Sequence, residues 1–167
     1  MNITTINTEH LILRPFKEDD SQFLYLIQSD PNSMQYTFCS KSLDESQSRL
    51  KAYASQLNQL GFAPWTIVLK SNKEIIGWGG LNVDPYESGW GTEVAYFFHP
   101  NHWSRGYATE LVKASIQYGF STLQLTEINA YVHIRNHASI RVLEKCGFRP
   151  VRYVPELRRN HFLIKNH

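Results

Sequence analysis

The segment His99-Pro100-Asn101-His102-Trp103-Ser104-Arg105-Gly106-Tyr107-Ala108-Thr109-Glu110 sets a small-residue loop between an apolar strand and an amphipathic helix. The first turn of a helix carries amide N–H groups without intrahelical partners and a partial positive charge. With Gly106 allowing close backbone approach and Arg105 beside it, such a start suits a diphosphate. A plain helix start, with Gly106 serving only as a turn, is the alternative. Just upstream, Thr92, Val94, Tyr96 and Phe98 alternate with Glu93, Ala95 and Phe97, leaving one carboxylate in an otherwise apolar strand. Partial burial would raise the pKa of Glu93 toward that of a useful general base. A wet strand end, where Glu93 pairs with a surface neighbour, fits the same residues.

Other chemistries fit less well. Gly77-Trp78-Gly79-Gly80 and Gly89-Trp90-Gly91 each give G-x-G but lack a third glycine and a following helix start, and there is no P-loop pattern. No G-x-S-x-G elbow occurs. His99 with His102, and His133 with His137, have ligand-like spacings without a third ligand nearby, so no metal site is expected. Cys39 and Cys146 stand far apart, which argues against a disulfide framework or a thiolate metal site.

Positioning those residues requires a sheet and helices, and the pattern supplies both. Leu11-Ile12-Leu13 reads as a strand ending at Arg14-Pro15. Asp19 or Asp20 can cap a helix that carries Phe23, Leu24 and Ile27 toward a core. Ser42-Leu43-Asp44-Glu45 matches a capping box, and Leu50, Tyr53, Ala54 and Leu57 follow at helical spacing until Gly61. Trp65 to Leu69 and Glu74 to Val83 read as a hairpin, and Thr92 to His99 as the next strand. Gly106 to Phe120 is an amphipathic helix with Ala108, Leu111, Val112, Ser115 and Gly119 inward. Glu127 to Val132 is a strand, Asn136 caps a helix that Gly147 ends, and Val151 to Ile164 holds two last strands around Pro155. The strand-helix-strand unit in the middle predicts one parallel pair in an otherwise antiparallel sheet.

The whole is 167 residues, room for one domain spanning 1–167, with residues 1–7 expected to be flexible. Seventeen Lys+Arg against fifteen Asp+Glu give a net charge of only +2, too little to require nucleic acid as partner. The absence of a long apolar run or a signal-like start points to a cytoplasmic protein without membrane association.

Four segments resemble, in order and spacing, the GNAT N-acetyltransferases, in the branch that contains the ribosomal-protein N-terminal acetyltransferases RimJ and RimL. Trp103 to Glu110 is similar to that family's acetyl-CoA pyrophosphate loop. Thr8 to Pro15 resembles its opening strand, with His10 where Arg is common, and Glu74-Ile75-Ile76-Gly77 its third-strand hairpin. Asn136-His137-Ala138-Ser139 through Glu144-Lys145-Cys146-Gly147-Phe148 resembles its last motif.

The resemblance implies a single-domain α/β GNAT fold. Its mixed, mostly antiparallel sheet of six to seven strands has a parallel pair splayed into a V and about four flanking helices. It implies acetyl-CoA as cosubstrate, without a metal. Backbone groups of Phe97 and Phe98 would hold pantetheine as an added strand would. Amides from Arg105 through Gly106, Tyr107 and Ala108 to Thr109 would hold the pyrophosphate, and Asn136 would reach the pantetheine arm unless it is only an N-cap. Family members often place a tyrosine acid where Leu143 stands. Ser139, by resemblance to the RimL-like branch, would hold the CoA sulfur instead, beside the simpler role of bonding backbone in a first helical turn.

An amine must be neutral to attack a thioester. A lysine is neutral in roughly one molecule per few thousand at pH 7, an α-amine in about one in ten. Glu93 would relieve the remaining proton. The acceptor is expected at Tyr36, Asp84, Tyr86, Glu87 and Trp90, where aromatics and acids suit a cationic amine of a protein N-terminus or a small molecule such as a polyamine or aminoglycoside. The competing classes are a non-catalytic CoA-binding module and a nucleic-acid binder using Arg149, Arg152, Arg158 and Arg159. A monomer or homodimer fits the family pattern.

Overall fold

The computed structural model describes residues 5–167. Eight strands form one sheet in the order β1-β2-β3-β4-β5-β6-β8-β7. They are β1 (Ile6–Asn7), β2 (Leu11–Pro15), β3 (Trp65–Leu69), β4 (Ile75–Asn82), β5 (Glu93–Phe98), β6 (Glu127–His133), β7 (Arg149–Val154) and β8 (Arg159–Lys165). The helices are α1 (Ser21–Gln28), α2 (Leu43–Ala54), α3 (Gln56–Leu60), α4 (Tyr107–Gln117) and α5 (His137–Lys145). Every paired neighbour is antiparallel except β5 and β6, as the central strand-helix-strand unit requires.

The amino end departs from expectation. The sheet has eight strands, not six or seven, because Ile6–Asn7 pairs with Leu13 and Ile12 as a short edge strand. The stretch expected to be flexible therefore includes paired residues, while residues 1–4 lie outside the described ones. Phe23 is 50% exposed, so α1 turns only Leu24 and Ile27 into the core. No side-chain cap starts α1: the carboxylate of Asp20 is taken by Arg14 at 2.8 Å through each oxygen, by the Lys17 amide at 2.8 Å and by the Thr66 hydroxyl at 2.7 Å. The second predicted helix divides at Ser55 into α2 and α3. Its cap is as read, Ser42 Oγ accepting from the Glu45 amide at 3.1 Å.

The alternation of β5 decides what lies on each face of the sheet. Phe97 packs with Trp78 against Leu24, Ile27 and Leu50 on the α1–α2 face. Phe98 joins Leu11, Leu13, Ile67 and Leu111 under α4, and Val94 joins Val112, Ile128 and Leu143 nearer α5. Glu93, in phase with Phe97, consequently faces the side of α1, α2 and their loop.

Candidate active site

The loop after β5 is held by its own aromatic. The Trp103 indole donates to the Phe98 carbonyl at 2.8 Å, which fixes the chain as it leaves the sheet. Ser104 and Gly106 both sit in the left-handed region, at φ of 60° and 84°. Gly106 takes this conformation without cost, whereas Ser104 holds it under strain. The first bond of α4 runs from the Glu110 amide to the Gly106 carbonyl at 3.0 Å, so the amides of Tyr107, Ala108 and Thr109 have no intrahelical partner. A Cβ added at Gly106 would meet nothing within 4 Å, so the backbone of the loop is uncovered at this point. Ser104, Gly106, Tyr107, Ala108 and Thr109 line a cavity of 1130 Å³; the exposed side chain of Arg105 does not. Among the cations that line this cavity, Arg135, Arg141 and Lys145 lie next to or on α5. Free amides and nearby cations fit a diphosphate-bearing cosubstrate.

Beyond the loop the cavity follows the gap between β5 and β6. These strands register only at Glu93↔Asn129, where the Asn129 amide donates to Thr92 O at 3.0 Å. The His99 amide donates to Ile76 O, and ladder bonds alternate along an antiparallel pair. Odd-numbered residues of β5, Phe97 among them, thus spend their peptide groups on β4, and Tyr96 and Phe98 present theirs to the gap. Of the two residues expected to offer backbone, Phe98 faces the opening with its carbonyl already engaged by Trp103, and Phe97 faces away.

Sequence reasoning missed Tyr96. Its hydroxyl lies 3.1 Å from Ser139 Oγ, and burial raises its pKa to about 12, against the opposing effect of that bond. Ser139 is in turn fixed by α5, since Asn136 Oδ1 accepts from the Ser139 amide at 3.2 Å. Asn136 is therefore an N-cap that also lines the cavity. Leu143 is buried in the core.

At the far end stands Glu93, half-buried and lining the cavity. Burial pushes its pKa up to about 7, helped by the negative charges of Asp84 and Glu87 and opposed by Arg159. Its strand end is clamped. Asn129 Nδ2 donates to Thr92 O at 3.1 Å, and His161 Nε2 lies 2.7 Å from Asn129 Oδ1. Gly91, at φ 75°, is excluded from bearing a side chain, because a Cβ there would come within 2.9 Å of Asn129 Nδ2.

The expected acceptor residues all line the same cavity as Glu93. Asp84 Oδ1 accepts from the amides of Tyr86 at 2.8 Å and Glu87 at 3.2 Å, which shapes their loop. The Tyr131 hydroxyl donates to Trp90 O at 2.7 Å. Tyr36 stacks on His133 with centroids 5.0 Å apart, and Arg159 Nη2 donates to Tyr36 O at 3.1 Å, tying the α1–α2 loop across the mouth of the gap. Arg159 thus belongs to the cleft, while Arg149, Arg152 and Arg158 are exposed. Cys146 is packed with its Sγ 3.8 Å from Thr109 O, and burial pushes its thiol pKa up, which makes it a poor nucleophile.

A splayed parallel pair with a helix start at one end and a buried carboxylate at the other defines an acyltransferase architecture, and comparison with known proteins agrees. The acetyltransferase (GNAT) domain family matches residues 10–149, and the chain belongs to that family as an N-acetyltransferase. It is 35% identical over 146 residues to the uncharacterized N-acetyltransferase p20 of Bacillus licheniformis, covering 86% of this chain and 82% of that protein. The crystal structure of an acetyltransferase from Agrobacterium tumefaciens superposes with a TM-score of 0.87 at 24% identity, over 99% of this chain and 96% of that one. Spermidine N-acetyltransferase from Vibrio cholerae, solved with CoA and spermine, gives 0.75 at 21% identity, over 93% and 95%. Among the described residues no helix is long and apolar enough to cross a membrane, and no group of three or more His, Cys, Asp or Glu could hold a metal ion.

Proposed function

We propose that this chain is a cytoplasmic enzyme that transfers the acetyl group of acetyl-CoA to a primary amine by direct attack in a ternary complex. The observation that carries the reading is one continuous cavity with the free amides of α4 at one end and Glu93 at the other. A carboxyl with a pKa of about 7 is half-ionised at neutral pH, so Glu93 is poised to take a proton from an ammonium group, directly or through one water. The neutral nitrogen then attacks the thioester carbon, the C–S bond breaks, and the proton the nitrogen loses in becoming an amide passes to the departing sulfur, releasing CoA as its thiol. Ser139, oriented by its own helix cap and by the Tyr96 hydroxyl, supplies a hydrogen bond to the departing sulfur.

The acceptor is the less constrained partner. A protein or peptide α-amine, as in the RimJ/RimL branch, is supported by Ser139 within the Asn136 to Ser139 motif and by the lower proton affinity of α-amines. A small amine is supported by the acids Asp84, Glu87 and Glu156 around the cleft and by the spermine held in the Vibrio cholerae relative. Thiol release from acetyl-CoA with a panel of peptides and small amines separates the two. The Glu93→Gln variant is expected to bind CoA with unchanged affinity by calorimetry while its turnover falls about 100-fold. Unchanged turnover removes Glu93 from the mechanism. Tight CoA binding with no thiol release for any amine leaves a binding module instead of an enzyme.

A further inference from the structure

Arg49 is a cation in the acceptor half of the cleft. It projects from α2 so that its guanidinium carbon lies 3.9 Å from the centroid of Phe38 and 4.2 Å from that of Tyr86. Among the described residues no carboxylate comes within 4.0 Å of it, and its guanidinium makes no hydrogen bond. Stacked rings cover the faces of a guanidinium but leave its N–H donors at the edge, where they form a fork suited to a carboxylate. Asp84, the obvious internal partner, has turned an oxygen to the amides of Tyr86 and Glu87 instead. Arg49, Phe38, Tyr86 and Glu93 all line one cavity. Arg159, which also lines this cavity, is a second cation there with one of its donors committed to Tyr36 O. A polyamine would find acids in this cleft, but it would also meet two arginines to which it offers nothing.

We propose that Arg49 recognises a carboxylate on the acceptor, so that the acceptor is a zwitterion whose amine meets Glu93 and whose anionic end meets Arg49. This rests on the acetyl-transfer reading and narrows its substrate class. The carboxylate belongs either to a free amino acid or to a short peptide, two sources with one chemistry. The alternative is that Arg49 merely clips the Tyr86 loop to α2 by its stacking.

The test measures thiol release at saturating acetyl-CoA for matched acceptors: α-amino acids against their amides, lysine against cadaverine, and dipeptides against their C-terminal amides. Wild-type protein is expected to favour the acid at least tenfold in kcat/KM in one series, mainly through KM. Arg49→Gln should bring acid and amide within twofold, mainly by raising KM for the acid, and Arg49→Lys should restore part of the preference. Which series responds tells a free amino acid from a peptide. Equal or better turnover of amides and of cadaverine in every pair overturns the proposal, as does a preference that survives in Arg49→Gln. If acetyl-CoA binds but no amine releases thiol, the acetyl-transfer reading fails separately. Calorimetry of the same pairs on the CoA-loaded protein then decides: tighter binding of acids that Arg49→Gln abolishes upholds the anion site, and no tighter binding ends it.

Discussion

Asp20 and Glu93 are both carboxylates withdrawn from water on this sheet, and they meet opposite fates. Burial pushes the Asp20 carboxyl up, but the Arg14 fork, the Lys17 amide and the Thr66 hydroxyl outweigh it and hold its pKa below the ordinary aspartate value. Among the described residues none gives Glu93 a hydrogen bond to set against burial; Arg159 acts on it only through its charge, with Asp84 and Glu87 pulling the other way, and its pKa rises to about 7. The number of donors aimed at each carboxylate, more than its depth, separates a structural clasp from a group left with an appetite for a proton.

The largest expected effect comes from breaking the satisfied carboxylate. Asp20→Ala leaves a half-buried guanidinium at Arg14, a buried hydroxyl at Thr66 and a free amide at Lys17 without their partner. Removing one member of a buried ion pair typically costs about 3–5 kcal/mol. Urea unfolding should report a loss of that size, and turnover per folded molecule should stay near wild type. A loss below about 1 kcal/mol would mean the clasp contributes little.

Breaking the unsatisfied carboxylate should spare the fold and change the chemistry. Because Glu93 acts as a base only when ionised, wild-type turnover should fall about tenfold for each pH unit below its pKa of about 7. In Glu93→Gln the residual, roughly 100-fold lower turnover should lack that limb. A wild-type profile with its midpoint near pH 4.5, or a variant that keeps the limb, would assign the titration to another group.

These two residues also mark how far the sequence could be read. The lone acid of β5 was visible because strand alternation is local, and the start of α4 because Gly106 follows directly on a strand and its loop. Asn136 and Ser42 were legible as caps for the same reason, each bonding an amide three residues on. Asp20 stands at the N-cap position of α1 as read, but its carboxylate bonds Arg14, Lys17 and, 46 residues away, Thr66 instead of the helix amides. Tyr96 went unnoticed because it meets Ser139 only across the gap between β5 and α5, and Arg49 because its two rings come from loops on either side of α2. Arg159, grouped by sequence with exposed arginines, crosses 123 positions to reach Tyr36. Contacts of that kind follow from packing, which periodicity does not encode.

The smallest expected effect, and the one that tests the contrast most directly, is the pH dependence of stability. For Glu93 the folded pKa is raised above the unfolded value near 4.5, so the native state binds more protons between pH 4.5 and about 7. Its contribution is fully present below pH 4.5 and is lost as pH rises through about 7, where the chain must bury a charge. For Asp20 the folded pKa is depressed, so its stabilisation is present above about pH 4 and is lost as pH falls through the folded value. The two carboxylates therefore tilt the stability curve in opposite directions on either side of about pH 4.5. A rise to about 7 sets a ceiling of roughly 3 kcal/mol for Glu93, and its partial contact with water reduces this to about 1 kcal/mol. Glu93→Gln should accordingly unfold at higher urea than wild type at pH 8 and gain little at pH 4. An equal difference at both values would mean that the carboxylate is solvated in the folded chain, and the distinction between the two acids would then vanish.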